Sequence, residues 1–173
     1  MTGPLRIEKL HRTHAVEQFT CGQPELDRFL IRHALQAQQA NSSQTYVGLS
    51  VDEVVGFYTM VAGEVRHADA PERVVKGMPR YPIPLLVLAR LAVHTKAQGR
   101  GFGAGLLLDA LARTLQVADV IGVRALAVHA KDERAVAFYR HFGFVPSPSD
   151  PRHLFMLIKD IRAASGADPI TSA

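Results

Sequence analysis

The feature that most restricts what this chain can fold into is a glycine-rich stretch, Gln98-Gly99-Arg100-Gly101-Phe102-Gly103, set between an apolar run and a long amphipathic segment. Upstream, residues 85–93 are almost continuously apolar, as in a strand covered on both faces. Downstream, residues 104–118 carry the clearest helical periodicity in the chain, with Leu107, Leu111, Leu115 and Ala118 on one stripe and Leu108 beside it. Glycine lets the backbone turn sharply and approach a ligand with no Cβ in the way. The N–H groups entering the helix then point outward together, where the helix dipole favours negative charge. The stretch therefore predicts a pyrophosphate-binding turn, with Arg100 placed to add a charge-assisted contact.

Two other phosphate motifs are excluded. A P-loop ends in Gly-Lys-Ser/Thr, which is absent. A dinucleotide fingerprint needs glycine at its sixth position, where this chain has Ala104 or Leu106 depending on register, and it belongs near the first strand of a doubly wound sheet. The competing reading is a turn with no ligand. Four glycines at alternate positions, 99 to 105, would destabilise a plain connector.

At 173 residues the chain suits one compact domain, expected over residues 1–161, with a frayed tail at residues 162–173. Residues 22–40 read as a helix: Pro24 suits a first turn, and Leu26, Phe29, Leu30, His33 and Ala34 recur at spacings of three and four. Residues 45–51 and 54–64 read as a hairpin joined at Asp52-Glu53. Residues 68–82, with Pro71, Pro79 and Pro82, form a loop that allows a short helix. Residues 124–130 make a short buried strand. A helix follows from Asp132, a good N-cap, to Phe142, with Gly143 as a left-handed cap. Residues 146–151 form a proline-rich loop, and residues 153–161 a last strand. A hairpin-rich first half followed by alternating strands and helices gives a mixed α/β sheet.

An apolar fraction of 47% with mixed charges indicates an ordinary soluble protein. A single cysteine, Cys21, excludes an internal disulfide and a cysteine metal site, and points to a reducing, cytoplasmic setting. No signal peptide is expected, and no window approaches the roughly 18 apolar residues of a membrane span. No His/Asp/Glu cluster has metal spacing, so no metal is expected. His129 reads as a core residue of a buried strand. The net charge of +4 favours polyanionic partners, with scattered solvated charge as the competing account. Arg28, Arg32, Lys76, Arg80, Arg90, Lys96, Arg134 and Arg140 are candidates for a phosphate track. Arg80 and Arg90 are preferred, because they flank the strand that leads into the glycine turn.

Gln98, Gly101 and Gly103 match Gln/Arg-x-x-Gly-x-Gly/Ala, and within residues 137–144 the run Phe138-Tyr139-x-x-x-Gly143-Phe144 matches the end of Ala-x-x-Phe-Tyr-x-x-x-Gly-Phe. On these motifs, residues 45–160 resemble the GNAT superfamily of N-acetyltransferases, with Leu91-Ala92-Val93 as its fourth strand. The resemblance implies an α/β (α+β) fold: a mixed, mostly antiparallel central sheet flanked by helices, with strands four and five splayed to hold acetyl-CoA. It implies cofactor contacts from Leu91, Ala92, Val93, Gln98, Gly99, Arg100, Gly101, Phe102, Gly103 and Ala104. Further segments are similar to the GNAT toxins of bacterial toxin–antitoxin pairs: Phe19-x-Cys21-Gly22-x-x-x-Leu26-Asp27-x-Phe29-Leu30, Met78-Pro79, Ala89-Arg90-Leu91-Ala92-Val93, the helix running to Gly122, and Val145-Pro146-Ser147-Pro148-x-Asp150-Pro151. That likeness implies acetylation of the α-amine of aminoacyl-tRNA, a block of translation, a ribbon-helix-helix antitoxin and a homodimer. His94 departs from it, standing where an acidic residue is expected.

Acetyl transfer from a thioester needs a neutral amine, donors for the developing oxyanion and a proton for the departing sulfur. Tyr139 is the candidate acid, since a phenol keeps its proton at neutral pH. Phe138 and Phe142 form an i, i+4 pair, with Tyr139 at the edge of their stripe. No general base stands out, although Glu64, His94 or a water remain open. An α-amine near 7.7–8.0 needs less help than a lysine near 10.4, which favours an α-amino acceptor. Two alternatives stand beside this: a GNAT enzyme for a small-molecule or protein amine, and a non-enzymatic coenzyme A sensor.

Overall fold

The computed structural model describes residues 3–166. The fold is mixed α/β, with seven strands in the order β1-β2-β3-β4-β5-β7-β6. The β1/β2, β2/β3, β5/β7 and β6/β7 ladders are antiparallel. The described residues pack as two compact units, residues 3–61 with 88–110 and residues 62–87 with 111–166.

In the first unit β1 (Arg6–Lys9) pairs with β2 (Gln44–Ser50), which pairs with β3 (Glu53–Val65). The four residues of β1, Arg-Ile-Glu-Lys, are too short and polar to announce a strand. The hairpin turns at Val51 and Asp52, both left-handed at φ 48° and 63°, one residue earlier than expected. Pairing of Ser50 with Glu53 leaves only two residues to reverse the chain, and such turns need positive φ.

The expected helix over residues 22–40 is interrupted. Helix α1 (Pro24–Arg28) runs into a π-type turn, Phe29–His33, before α2 (Ala34–Gln39). At the turn the Ala34 N–H donates to the carbonyl of Phe29, five residues back. Leu30 and Ala34 stay buried in a core with Leu10, Phe19, Cys21, Val47, Leu49, Val54, Phe57 and Ala92. This unit also holds the end of β4 (Ile83–Val93) and the first half of α4 (Phe102–Ala118). The buried face of α4 is Leu106, Leu107, Ala110, Leu111 and Thr114, whereas Leu108 is 55% exposed. The apolar stripe is thus rotated away from Leu108, because Leu106 claims the sheet-facing position.

The second unit has its own core of Val65, Ala70, Val74, Ile83, Leu85, Ala125, Ala127, Phe155 and Leu157. The proline-rich loop begins in a 3-10 turn, His67–Asp69, and contains the short helix α3 (Glu72–Val75). Arg124, just before β5 (Ala125–His129), donates to the carbonyls of Val74, Arg73 and Lys76 and so caps that helix. The Asp132 carboxylate accepts the Ala135 N–H at 2.8 Å and starts α5 (Glu133–His141); Gly143 closes it at φ 102°.

The last strand is shorter than expected. The strand β7 (His153–Leu157) pairs with β5 and with the two-residue β6 (Val145–Pro146), then gives way to α6 (Ile158–Ala164). Arg162, expected in a frayed tail, lies in that helix. Ile161 is buried at 2% exposure and Asp160 takes a two-point contact from Arg73, so α6 is held at both faces. The remainder of the expected tail, residues 167–173, lies outside the described residues.

Candidate active site

The glycine turn forms as its composition requires. Gly99 and Gly101 both adopt φ 81°, and a Cβ added at either meets nothing within 4 Å. The need for glycine here is therefore conformational, not steric crowding. The Gly105 N–H donates to the Gly101 carbonyl at 3.1 Å, the first bond of α4. Phe102, Gly103 and Ala104 thus form the first helical turn, and their N–H groups have no acceptor within the helix. Three orphan donors at the positive end of a 17-residue helix suit an anion.

The Gln98 side chain bridges two main-chain carbonyls. Its Nε2 donates to the carbonyl of Val93 at 2.9 Å and to that of Cys21 at 3.1 Å. The side chain ties the end of β4 and the Cys21 loop to the start of the turn. Between them Thr95–Ala97 makes a 3-10 turn capped by His94, whose Nδ1 accepts the Lys96 N–H at 3.1 Å. His94 is 7% exposed, sits edge-on to Phe19 at 5.6 Å, and sends its backbone N–H to Val55.

A further element went unnoticed in the sequence. Gly48 and Gly56 face each other across β2 and β3, leaving a dimple in the sheet. A Cβ on Gly56 would lie 2.8 Å from Leu106 Cδ1 and 2.9 Å from the Ala92 oxygen; one on Gly48 would lie 3.3 Å from Leu106 Cδ2. Leu106, in the second turn of α4, fills the dimple and sets the height of the helix start above the sheet. The Tyr58 hydroxyl adds a bond to Asp109 on the same helix. Two strand-interior glycines in register were the available signal.

Ala92 is buried, and Leu91 and Val93 are partly so. Next to them Arg90 lays its guanidinium carbon 3.6 Å from the ring centroid of Phe29, and burial lowers its pKa. Arg80, in the other unit, is exposed in the loop before β4.

In the second unit Tyr139 is 7% exposed on α5, its ring packed at 5.1 Å from Phe138 and 5.5 Å from Phe144. Burial pushes its phenol up to about 12. His129 is not a core residue, contrary to expectation. It is exposed, stacks on His153 at 4.2 Å, and places Nε2 3.3 Å from Asp150. It is the last residue of a strand buried on both faces, at the point where that cover stops. Glu64 is exposed on β3. Among the described residues no group of three or more His, Cys, Asp or Glu is placed to hold a metal ion.

A mixed sheet of this strand order, with a glycine turn at the head of its long helix, is the frame of an acetyltransferase, and the family comparison gives that class. The family model for the acetyltransferase (GNAT) domain matches residues 41–146, and the chain belongs to that family. It is 46% identical over 166 residues to a tRNA-acetylating toxin of Mycobacterium tuberculosis (strain ATCC 25618 / H37Rv), covering 96% of this chain and 99% of that protein. Among solved structures it is similar to AtaT complexed with acetyl-methionyl-tRNAfMet, with a TM-score of 0.86, 28% identity, and coverage of 94% and 99%. It is also similar to a Tyr-to-Phe variant of the AtaT toxin bound to the C-terminus of the antitoxin AtaR and acetyl-CoA, with a TM-score of 0.78, 26% identity, and coverage of 93% and 98%.

Proposed function

We propose that this protein is an acetyl-CoA-dependent toxin that acetylates the α-amine of aminoacyl-tRNA and blocks translation until an antitoxin neutralises it. The observation that carries this reading is the braced glycine turn, with its unpaired helix N–H groups, in a chain 46% identical over nearly its whole length to a tRNA-acetylating toxin. The partner is read as a ribbon-helix-helix antitoxin, the assembly as a homodimer, the setting as the cytoplasm and the chain as one acetyltransferase domain. Among the described residues no helix is long and apolar enough to cross a membrane, and no membrane partner is proposed.

The residues present fit acetyl-CoA. When bound, it supplies a thioester carbon open to attack by an amine. The N–H groups of Phe102, Gly103 and Ala104 would hold its diphosphate, with Gly99 and Gly101 shaping the turn and Arg100 beside it. Gln98 serves this contact as a brace. Leu91, Ala92 and Val93 would pair through their backbone with the amides of the pantetheine arm. Tyr139 would donate to the departing sulfur. A phenol near 12 is a weaker acid than a thiol near 8.5, so full proton transfer is uphill by about 5 kcal/mol. Tyr139 therefore acts by hydrogen bonding as charge builds on sulfur, not by handing over its proton beforehand. Arg80 and Arg90 are read as contacts to the RNA backbone.

Purified protein incubated with radiolabelled acetyl-CoA and charged tRNA tests this. Label is expected on the aminoacyl end, released with the amino acid on mild alkaline hydrolysis. Label found only on free small amines or protein lysines would overturn the RNA-acceptor reading and leave the acetyltransferase.

A further inference from the structure

Arg90 occupies an unusual position for an arginine. It sits on β4 directly before Leu91, is partly buried, and has lost enough water for its pKa to fall. Among the described residues no carboxylate pairs with it. A partly desolvated cation with no counter-ion is less favourable than a solvated one unless a ligand completes it. Its one close partner is the ring of Phe29, 3.6 Å from Cζ.

That ring is itself held in place. Phe29 stacks on Phe57 at 6.4 Å, and Phe57 packs edge-on against Phe19 at 5.6 Å in the core of the first unit. Phe29 is also the first residue of the π-type turn, a form that recurs at functional sites because it re-aims one side chain within a helix. Arg28 precedes the turn and Arg32 lies within it, both exposed. The nearby acids are Glu25, exposed on α1, and Asp27, whose Oδ1 accepts the Cys21 N–H. Neither pairs with Arg28, Arg32 or Arg90. The surroundings are thus basic, with an aromatic face at the centre.

We infer that Phe29 is a positioning residue for acceptor recognition: it holds the Arg90 guanidinium on its ring so that the N–H donors meet a phosphate near the 3′ end of the acceptor RNA. A guanidinium offers five donors in one rigid plane, and one face covered by an aromatic ring leaves those in-plane donors available for two-point phosphate contact. The role rests on the RNA-acceptor reading and adds to it a residue that never touches the substrate.

The test compares Phe29→Leu, Phe29→Tyr and Phe29→Trp. Leucine keeps apolar packing and removes the π face, while tyrosine and tryptophan keep both. Phe29→Leu is expected to raise KM for charged tRNA about five- to tenfold, leaving kcat and acetyl-CoA Kd within about twofold, and tyrosine and tryptophan to restore KM. The slope of log KM against log salt should fall by somewhat under one unit in Phe29→Leu and in Arg90→Gln alike. The double variant Phe29→Leu/Arg90→Gln should match Arg90→Gln alone, since the two residues act through one contact. An unchanged KM in Phe29→Leu, additive effects in the double variant, failure of both aromatic replacements, or a parallel rise in acetyl-CoA Kd each overturns the inference. Native protein that acetylates an amino-acid ester but ignores charged tRNA removes the RNA-acceptor reading and this inference with it; native activity on charged tRNA with an unaffected Phe29→Leu removes this inference alone.

Discussion

The side-chain amide of Gln98 donates to the main-chain carbonyl of Val93, five residues back and 2.9 Å away, so that the glycine turn is tied to the strand it leaves. A second bond from the same nitrogen, 3.1 Å to Cys21, ties that strand end to a segment far off in sequence. Where the ladder of β4 ends, one side chain satisfies two carbonyls.

Replacing Gln98 by Leu keeps the bulk and removes both bonds. We expect a loss of about 1–2 kcal/mol in stability by urea unfolding and an increase of about fivefold in acetyl-CoA Kd by calorimetry. Gln98→Glu should be worse on both measures, because a carboxylate would face two carbonyl oxygens. Lowered stability with an unaltered Kd would show that the brace does not govern the turn.

Gly56 and Gly101 are glycines for different reasons, and alanine separates them. At Gly56 the new Cβ would meet the Ala92 oxygen at 2.9 Å and Leu106 Cδ1 at 2.8 Å. Leu106 can shift, but backbone cannot, so Gly56→Ala should lose about 2–3 kcal/mol and Leu106→Ala should not rescue it. At Gly101 there is open space and only the φ of 81° to satisfy. Gly101→Ala should lose about 1–2 kcal/mol and most of its acetyl-CoA affinity. Thermal melts with and without acetyl-CoA read both effects; equal shifts in the two variants would refute the distinction.

Tyr139→Phe should reduce kcat by about 100-fold or more with acetyl-CoA Kd nearly unchanged. Equal turnover would remove Tyr139 from the chemistry. The pH dependence has a definite sign. An unfolded tyrosine ionises near 10, whereas Tyr139 holds its proton to about 12. Its contribution to stability is complete below pH 10 and is lost as pH rises from 10 through 12, a change of about 3 kcal/mol. Phenolate absorbance should show a late-titrating component that Tyr139→Phe lacks. A Tyr139-dependent component ionising near pH 10 instead would contradict the burial of the ring.

Much of the fold was legible because its signals are local. The Asp132 cap, the left-handed Gly143 and the positive φ at Gly99 and Gly101 depend only on a few neighbouring residues. Errors fell where a local pattern has two solutions. The run Leu154-Phe155-Met156-Leu157-Ile158 reads as one strand, yet it changes to helix at Ile158, and an apolar run alone does not mark where. His129 reads as buried from its neighbours but is the strand's last residue, past the cover that buries the other four.

By itself the sequence determined the glycine turn, the helix it opens, the family to which the chain belongs and Tyr139 as the candidate acid, all features written in short spacings or in motifs. Only the tertiary structure decided that Gln98 bridges the carbonyls of Val93 and Cys21, that Leu106 seats in a dimple made by Gly48 and Gly56, and that Phe29 meets Arg90. Each of these is a contact or close approach between residues separated in the chain, up to 77 apart for Gln98 and Cys21. Periodicity carries no information about such partners, because they are selected by packing once the strands and helices have met.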